Sequence, residues 1–115
     1  MSEDSLDIYI RSLILEASRL DCKKVSIVQG EGRPKITFIA TDESMEFPHP
    51  PKENPEQLVP RLRSIAGLDP NATGDAQGKA TIKRRDDDIE LALAFSKDAG
   101  ADVVNIEILS DVAIT

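Results

Sequence analysis

Aromatic residues are scarce in this chain of 115 residues, which contains three Phe, one Tyr and no Trp. Its core must therefore be aliphatic and consist of Ile, Leu, Val and Ala. A chain of this length fits one domain and buries roughly two-thirds of the surface of its unfolded form. We therefore expect a single domain over residues 1–115, with flexible ends at 1–4 and 110–115.

Cysteine and histidine occur once each. The single Cys22 excludes an internal disulfide framework, and the single His49 excludes a histidine metal cluster or a Ser-His-Asp triad within one chain. The surrounding prolines predict that His49 lies in an exposed linker, and Cys22 is interpreted as a buried structural thiol rather than a nucleophile. No residue pair indicates acid–base chemistry. The sequence therefore predicts no enzyme, no cofactor and no metal site.

Long hydrophobic runs and excess positive charge are also absent. No apolar run approaches the ~20 residues that cross a bilayer, and the start, M-S-E-D-S-L-D, lacks the features of a signal peptide. The formal net charge of −7 disfavours partners with a phosphate backbone. The densest acidic run, Asp86 to Asp88, is expected to be a solvated turn, because calcium loops need spaced ligands. We expect a cytoplasmic protein with no membrane span and no nucleic-acid partner.

The stretch from Asn54 to Asp69 is predicted to be a central helix. Asn54 is the predicted N-cap, and Gly67 supplies the C-terminal stop. Pro60 predicts a kink, because it removes one backbone hydrogen bond. The apolar stripe of this helix consists of Leu58, Leu62, Ile65 and Ala66. Its solvent side is expected to carry Arg61, Arg63 and Ser64.

A first helix is predicted from Ser5 to Leu20, where apolar residues recur every three or four positions. Tyr9, Ile14 and Leu15 widen its apolar surface beyond a simple stripe. Helices with excess apolar area often bind a partner, so these three residues are candidates for partner binding. The alternative is that the central helix and the sheet cover them completely.

Six short stretches with alternating apolar residues predict strands, three before the central helix and three after it. Their ranges are 24–28, 35–40, 45–47, 79–84, 89–96 and 102–109. Short loops join them, so we expect antiparallel pairing. The predicted fold is α+β, with two layers, two helices and a mostly antiparallel sheet of about six strands in the order α-βββ-α-βββ.

Several phrases, in this order and spacing, resemble the N-terminal domain of the type II secretion and type IV pilus assembly ATPases. They are I-L-E-A-S-R-L-D-C in the first helix, R-L-R-S-I-A-G-L-D at 61–69, Gly78-Lys79, and the strands Ile89–Phe95 and V-V-N-I-E-I-L at 103–109. The likeness covers roughly residues 8–109. It implies a PAS-like outline with a curved sheet and a bacterial protein that docks on a secretion or pilus component.

The chain departs from that family at residues that the resemblance associates with nucleotide. Where the family carries Asp-Ile-His after its first helix, Lys24-Val25-Ser26 stands here, and Ala92 stands where the family has a phosphate-reaching arginine. Lys79 keeps a positive charge at a comparable place and is a weak candidate for phosphate contact. The motor domain with its Walker motifs is absent, so ATP hydrolysis is not expected of this chain.

Three functions remain open from the sequence. The first is a non-catalytic interaction or regulatory domain that docks on a secretion or pilus component. The second is an N-terminal piece of a full secretion ATPase. The third is a small-molecule sensor, with room for a ligand at Ala40, Ala92 and Ala94.

Overall fold

A computed structural model describes residues 5–30, 34–47, 51, 55–72, 74–83 and 88–110. It contains helix α1 (Ser5–Arg19), strands β1 (Lys24–Gln29), β2 (Lys35–Ile39) and β3 (Ser44–Phe47), a 3₁₀ turn at Pro55–Gln57, helix α2 (Leu58–Ile65), and strands β4 (Ala76–Lys83), β5 (Asp88–Asp98) and β6 (Ala101–Ser110). The two helices and six antiparallel strands confirm the predicted α+β class and its element order.

The six strands form one sheet in the order β3-β2-β1-β6-β5-β4. Every neighbouring pair is antiparallel. The two runs of three strands meet where β1 pairs with β6, so the first and last strands lie at the centre of the sheet. Val25, Ile106 and Leu93 stand side by side across β1, β6 and β5. This row lies at the centre of the aliphatic core.

The core lies on one face of the sheet, where alternate residues of each strand point toward the helices. On β5, Ile89, Leu91, Leu93 and Phe95 are all buried, whereas the residues between them are half-buried or exposed. Strands β1 and β6 show the same alternation. Both helices therefore cover the same face, which makes the fold two-layered.

Helix α1 packs flat on the sheet and buries most of its apolar band. Ile14, a candidate for partner binding, is 0% exposed and belongs to the core, which corrects that prediction. Tyr9 and Leu15 are half-buried and pack against the core. The sheet therefore covers Ile14 completely, whereas the half-buried Tyr9 and Leu15 stay candidates for partner binding. Neither helix in the described ranges has the length and hydrophobicity needed to cross a membrane.

Helix α2 differs from its prediction at its N-terminal end, whereas its C-terminal end is as predicted. The chain enters it through the 3₁₀ turn, and Pro60 falls in its first turn, where a backbone N–H has no intrahelical acceptor. Pro60 therefore removes no α-helical hydrogen bond, so the reason given for a kink does not apply at this position. The predicted stop is confirmed, because Gly67 has φ +81°. The N–H groups of Gly67 and Leu68 donate to the carbonyls of Ser64 and Arg63 at 3.0 and 2.8 Å, which is a Schellman motif. The proposed cap Asn54 lies outside the described residues.

Gly78 lets strand β4 approach the end of α2. A Cβ atom built on Gly78 would lie 2.5 Å from the carbonyl oxygen of Ala66 and 2.8 Å from its Cβ. Helix and strand would have to separate to admit it. A residue without a Cβ atom is therefore required at this position, where the helical layer meets the edge of the sheet.

We expect Gly78→Ala to lower the free energy of unfolding by about 1–3 kcal/mol, as overpacked substitutions do. Urea denaturation followed by circular dichroism measures the loss. Gly30→Ala is the matched control, because its Cβ would meet only Ala101 Cβ at an ordinary 3.7 Å. Equal stability of the Gly78→Ala variant and the wild type would show that α2 and β4 are not in close contact.

Candidate functional site

The face of the sheet opposite the helices, here called the open face, carries a groove of about 570 Å³. Its side chains come from strands β2, β1, β6, β5 and β4, at the positions that alternate with core residues. We call it the sheet groove. Its main side chains are Lys24, Ile39, Gln77, Lys79, Ala92, Ala94, Asn105 and Glu107.

The charged residues of the sheet groove stand in one row across four strands. Lys24 is opposite Glu107, Glu107 is opposite Ala92, and Ala92 is opposite Lys79. Because neighbouring strands lie about 4.8 Å apart, the backbones at Lys24 and Lys79 are separated by about 14 Å. Glu107 stands directly opposite Lys24, whereas the residue directly opposite Lys79 is the uncharged Ala92. The β4 end of the groove is therefore its positive end.

A second row supplies hydrogen-bonding amides. Asn105 lies opposite Ala94, which lies opposite Gln77. Each primary amide offers one acceptor oxygen and two donor hydrogens. The two rows together place amides and charges of both signs around a floor of small side chains.

The floor of the sheet groove consists of Ala92 and Ala94, two positions apart on the same face of β5. The sequence predicted room at these two residues, and the structure places both in the groove. It does not place Ala40 there, because that residue packs against the core. Two methyl groups leave space above β5 that larger side chains would fill.

Lys79 is exposed on β4 and lines the sheet groove. Within the described parts of the chain, no ion pair joins its amine to a carboxylate. The amine is therefore available to an anionic group of a ligand. Ala92, the neighbour of Lys79, contributes no second positive charge, so this pair of positions does not form a bidentate phosphate clamp.

Aliphatic side chains continue the open face beyond the sheet groove. Val28 and Val103 stand directly opposite each other on β1 and β6. Val28 and Leu109 are exposed, the latter with 46% of its surface accessible. Solvated faces of antiparallel sheets usually carry polar residues at such positions. These aliphatic residues interrupt a face that is otherwise largely polar.

The other candidates lie away from the sheet groove. Tyr9 and Leu15 belong to the helical layer on the opposite face, and burial raises the pKa of the Tyr9 hydroxyl. Cys22 is buried, with its sulfur 3.8 Å from the carbonyl oxygen of Leu20. Burial and the nearby Asp21 raise the pKa of its thiol, which disfavours the thiolate that a nucleophile needs.

Of the acidic run and the histidine, the structure describes only Asp88. Asp88 is the first residue of β5 and is exposed, whereas Asp86, Asp87 and His49 lie outside the described residues. Over the ranges that the structure describes, no three His, Cys, Asp or Glu residues are grouped as a metal site would require.

The sequence alone did not identify Lys24, Gln77, Asn105 or Glu107 as neighbours. Alternation along each strand indicates which residues share a face, but only the strand order brings β1 and β6 together. The sequence did contain the polar side of each predicted strand. That signal indicates which residues share a face of the sheet, but it does not indicate which residues of different strands lie next to one another.

Comparison with models of known protein families gives no match, and comparison with curated protein sequences gives none. The resemblance to the secretion ATPases therefore stays a prediction.

Proposed function

We propose that this chain is a non-catalytic interaction domain and that a protein partner docks on the sheet groove. The observation that carries the proposal is the open face itself. Both helices cover one side of the sheet, and the other side presents a groove with an alanine floor and aliphatic residues beside it. Exposed apolar area of this kind marks interaction surfaces.

The residues of the sheet groove define the chemistry of the partner. Ala92 and Ala94 would accept its apolar side chains, because two methyl groups leave space between the neighbouring strands. Lys79 would meet an acidic side chain at one end. Asn105 and Gln77 would bond to polar groups between them. A segment with apolar residues and one acidic residue fits this arrangement.

The resemblance supports a secretion or pilus component as that partner. The element order α-βββ-α-βββ, together with the phrases quoted above, is its support. In the second function proposed from that resemblance, the chain is an N-terminal piece of a full secretion ATPase. Reading the gene beyond codon 115 separates the two, because only the second requires Walker motifs downstream.

Filling the groove tests the docking site. We expect Ala94→Tyr to reduce retention of the partner at least about tenfold, which corresponds to roughly 1.4 kcal/mol of binding free energy. Wild type and variant are immobilised, exposed to the native cell extract and compared by quantitative mass spectrometry. Binding of the purified partner is then measured by calorimetry.

Thr81→Tyr is the matched control for this experiment. Thr81 is exposed on the same face of the sheet but lies outside the sheet groove. The control should retain the partner, and melting curves should show that both variants are folded. Equal retention by the Ala94→Tyr variant would place the binding site elsewhere.

A small-molecule sensor is the second candidate, favoured by the size of the groove. Its volume of about 570 Å³ falls within the range of about 300–1,000 Å³ typical of ligand sites. A ligand at 100 times its Kd should stabilise the folded chain by roughly 2.7 kcal/mol, seen as a rise in melting temperature. The Ala94→Tyr variant should lose that rise and the Thr81→Tyr variant should keep it. If no metabolite raises the melting temperature of the wild type, the sensor function is wrong; magnesium-ATP in the same panel is expected to have no effect.

A further inference from the structure

The sheet ends in two strands that have a neighbour on one side only. Strand β3 pairs with β2, and β4 pairs with β5, and in the part of the chain that the structure describes no strand lies outside either. A strand at the edge of a sheet exposes backbone N–H and C=O groups that another chain can pair with. Each edge is therefore a potential site for strand addition.

The two edges carry opposite charges on the open face. Strand β3 contains Glu46 and no basic residue, whereas β4 contains Lys79 and Lys83 and no acidic residue. Glu46 and Lys79 both lie on the open face, because their strand partners Thr37 and Ala92 do. Lys83 has Asp88 opposite it on β5, which leaves Lys79 as the less compensated lysine. The edge of β3 is thus complementary in charge to the edge of β4.

Strand direction allows the two edges to meet. The six strands alternate in direction from β3 to β4, so β3 and β4 run in opposite directions. If two copies of the chain lie side by side in the same orientation, β4 of one is antiparallel to β3 of the next. The helices of both copies then lie on the same side of one continuous sheet.

One register of the two strands places opposite charges next to each other and a large side chain next to a small one. If Glu46 stands opposite Lys79 of the next copy, Met45 stands opposite Ala80 and Ser44 opposite Thr81. Met45 is 39% exposed and points to the helical side, as its partner Phe38 does. In this register the exposed part of Met45 packs beside the half-buried Ala80.

We propose that this chain associates with a second copy of itself by pairing strand β3 of one molecule with strand β4 of the next. Pairing of identical edges is disfavoured, because the two β4 strands would bring together four lysines and the two β3 strands would bring together two glutamates. The contact is heterologous, so it generates a ring or a filament rather than a two-fold dimer. It is argued from Ser44, Met45 and Glu46 of the short strand β3 and is therefore weak and dependent on concentration.

Disulfide trapping tests the pairing and its register. The Cβ atoms of opposite residues in an antiparallel pair lie about 4.5–5.5 Å apart, close to the separation in a disulfide. We prepare Met45→Cys and Ala80→Cys as separate proteins, mix them at high concentration and oxidise them mildly. The expected product is a mixed dimer that contains one of each. Neither protein alone should form a comparable amount of dimer, and a mixture of Met45→Cys with Lys97→Cys is the control for random collision.

Each other result overturns the proposal. A dimer of Ala80→Cys alone would indicate pairing of two β4 strands, and a dimer of Met45→Cys alone would indicate pairing of two β3 strands. Mixed dimer no more abundant than in the Lys97→Cys control would show that the edges do not meet. Circular dichroism on the reduced variants establishes that both are folded.

Charge exchange provides a second measurement on the same contact. Glu46→Lys and Lys79→Glu should each reduce the average mass seen by light scattering at high concentration, and the double variant should restore it. Association that is unchanged in both single variants would also contradict the proposed register.

Discussion

Replacing Arg63 with alanine is expected to lower the free energy of unfolding by about 2–5 kcal/mol. Arg63 is 4% exposed, although its side chain carries a full charge. Its Nη2 donates a hydrogen bond of 2.7 Å to the carbonyl oxygen of Gly74, and its guanidinium lies 4.8 Å from the ring centroid of Phe95. A hydrogen bond to a charged donor contributes about 1.5–3 kcal/mol, and a desolvated cation–π contact contributes about 2 kcal/mol.

The size of this effect follows from where the contacts of Arg63 lie. The side chain leaves helix α2 and reaches the loop before β4 through Gly74 and strand β5 through Phe95. Removal of the guanidinium leaves the carbonyl of Gly74 without this donor and opens a space against the ring.

Arg61→Ala is the matched control for Arg63→Ala. Arg61 lies two residues away on the same helix and forms an ion pair of 2.7 Å with Asp7, with both side chains about one-third exposed. Such partly solvated pairs contribute about 1 kcal/mol or less. Urea denaturation of the two variants should therefore give clearly different losses, and Arg63→Lys should fall between them because lysine lacks the planar fork. Equal losses at positions 61 and 63 would show that Arg63 does not anchor the loop and β5.

The burial of Arg63 could not be predicted from the sequence, because it depends on residues that are distant in the chain. Helical periodicity placed Arg63 outside the apolar stripe and on the solvent side of its helix, and arginine is rarely buried unless it is paired. What makes its burial favourable is a ring 32 positions later in the chain and a carbonyl 11 positions later. Local periodicity contains no information about either. Local signals did suffice for Gly67, because a helix stop depends on its own backbone conformation.

The sequence likewise predicted some residues of the open face and missed others. Alternation along β5 identified Ala92 and Ala94 as small residues on the face opposite the core, and both line the sheet groove. The contribution of Lys24 and Glu107 depends on the pairing of β1 with β6, which joins opposite ends of the chain. The prediction that Ile14 on α1 binds a partner was wrong for a related reason. The width of an apolar band does not reveal how much of it a six-stranded sheet covers, and here the sheet buries Ile14 completely.

Truncation of Leu93 is the other large expected effect. Leu93 is 1% exposed at the middle of β5, with Ile106 on one side of it and Gly78 on the other. Gly78 contributes no side chain, so few neighbouring atoms can move in to fill the space that Leu93→Ala leaves. We expect a loss of about 2–5 kcal/mol in the free energy of unfolding, measured by urea denaturation, as for other buried leucines.

Ile65→Ala is the comparison for Leu93→Ala, because it truncates an aliphatic side chain of the same size at a less buried position. The sequence assigned Ile65 to the apolar stripe of α2 with the same weight as its neighbours, but the structure leaves it half-buried beside the core. A side chain that keeps contact with water in the folded state loses less transfer free energy when it is truncated. We therefore expect a loss below about 2 kcal/mol at Ile65, clearly smaller than at Leu93. A larger loss at Ile65 than at Leu93 would mean that α2, rather than the centre of the sheet, contributes most to the core.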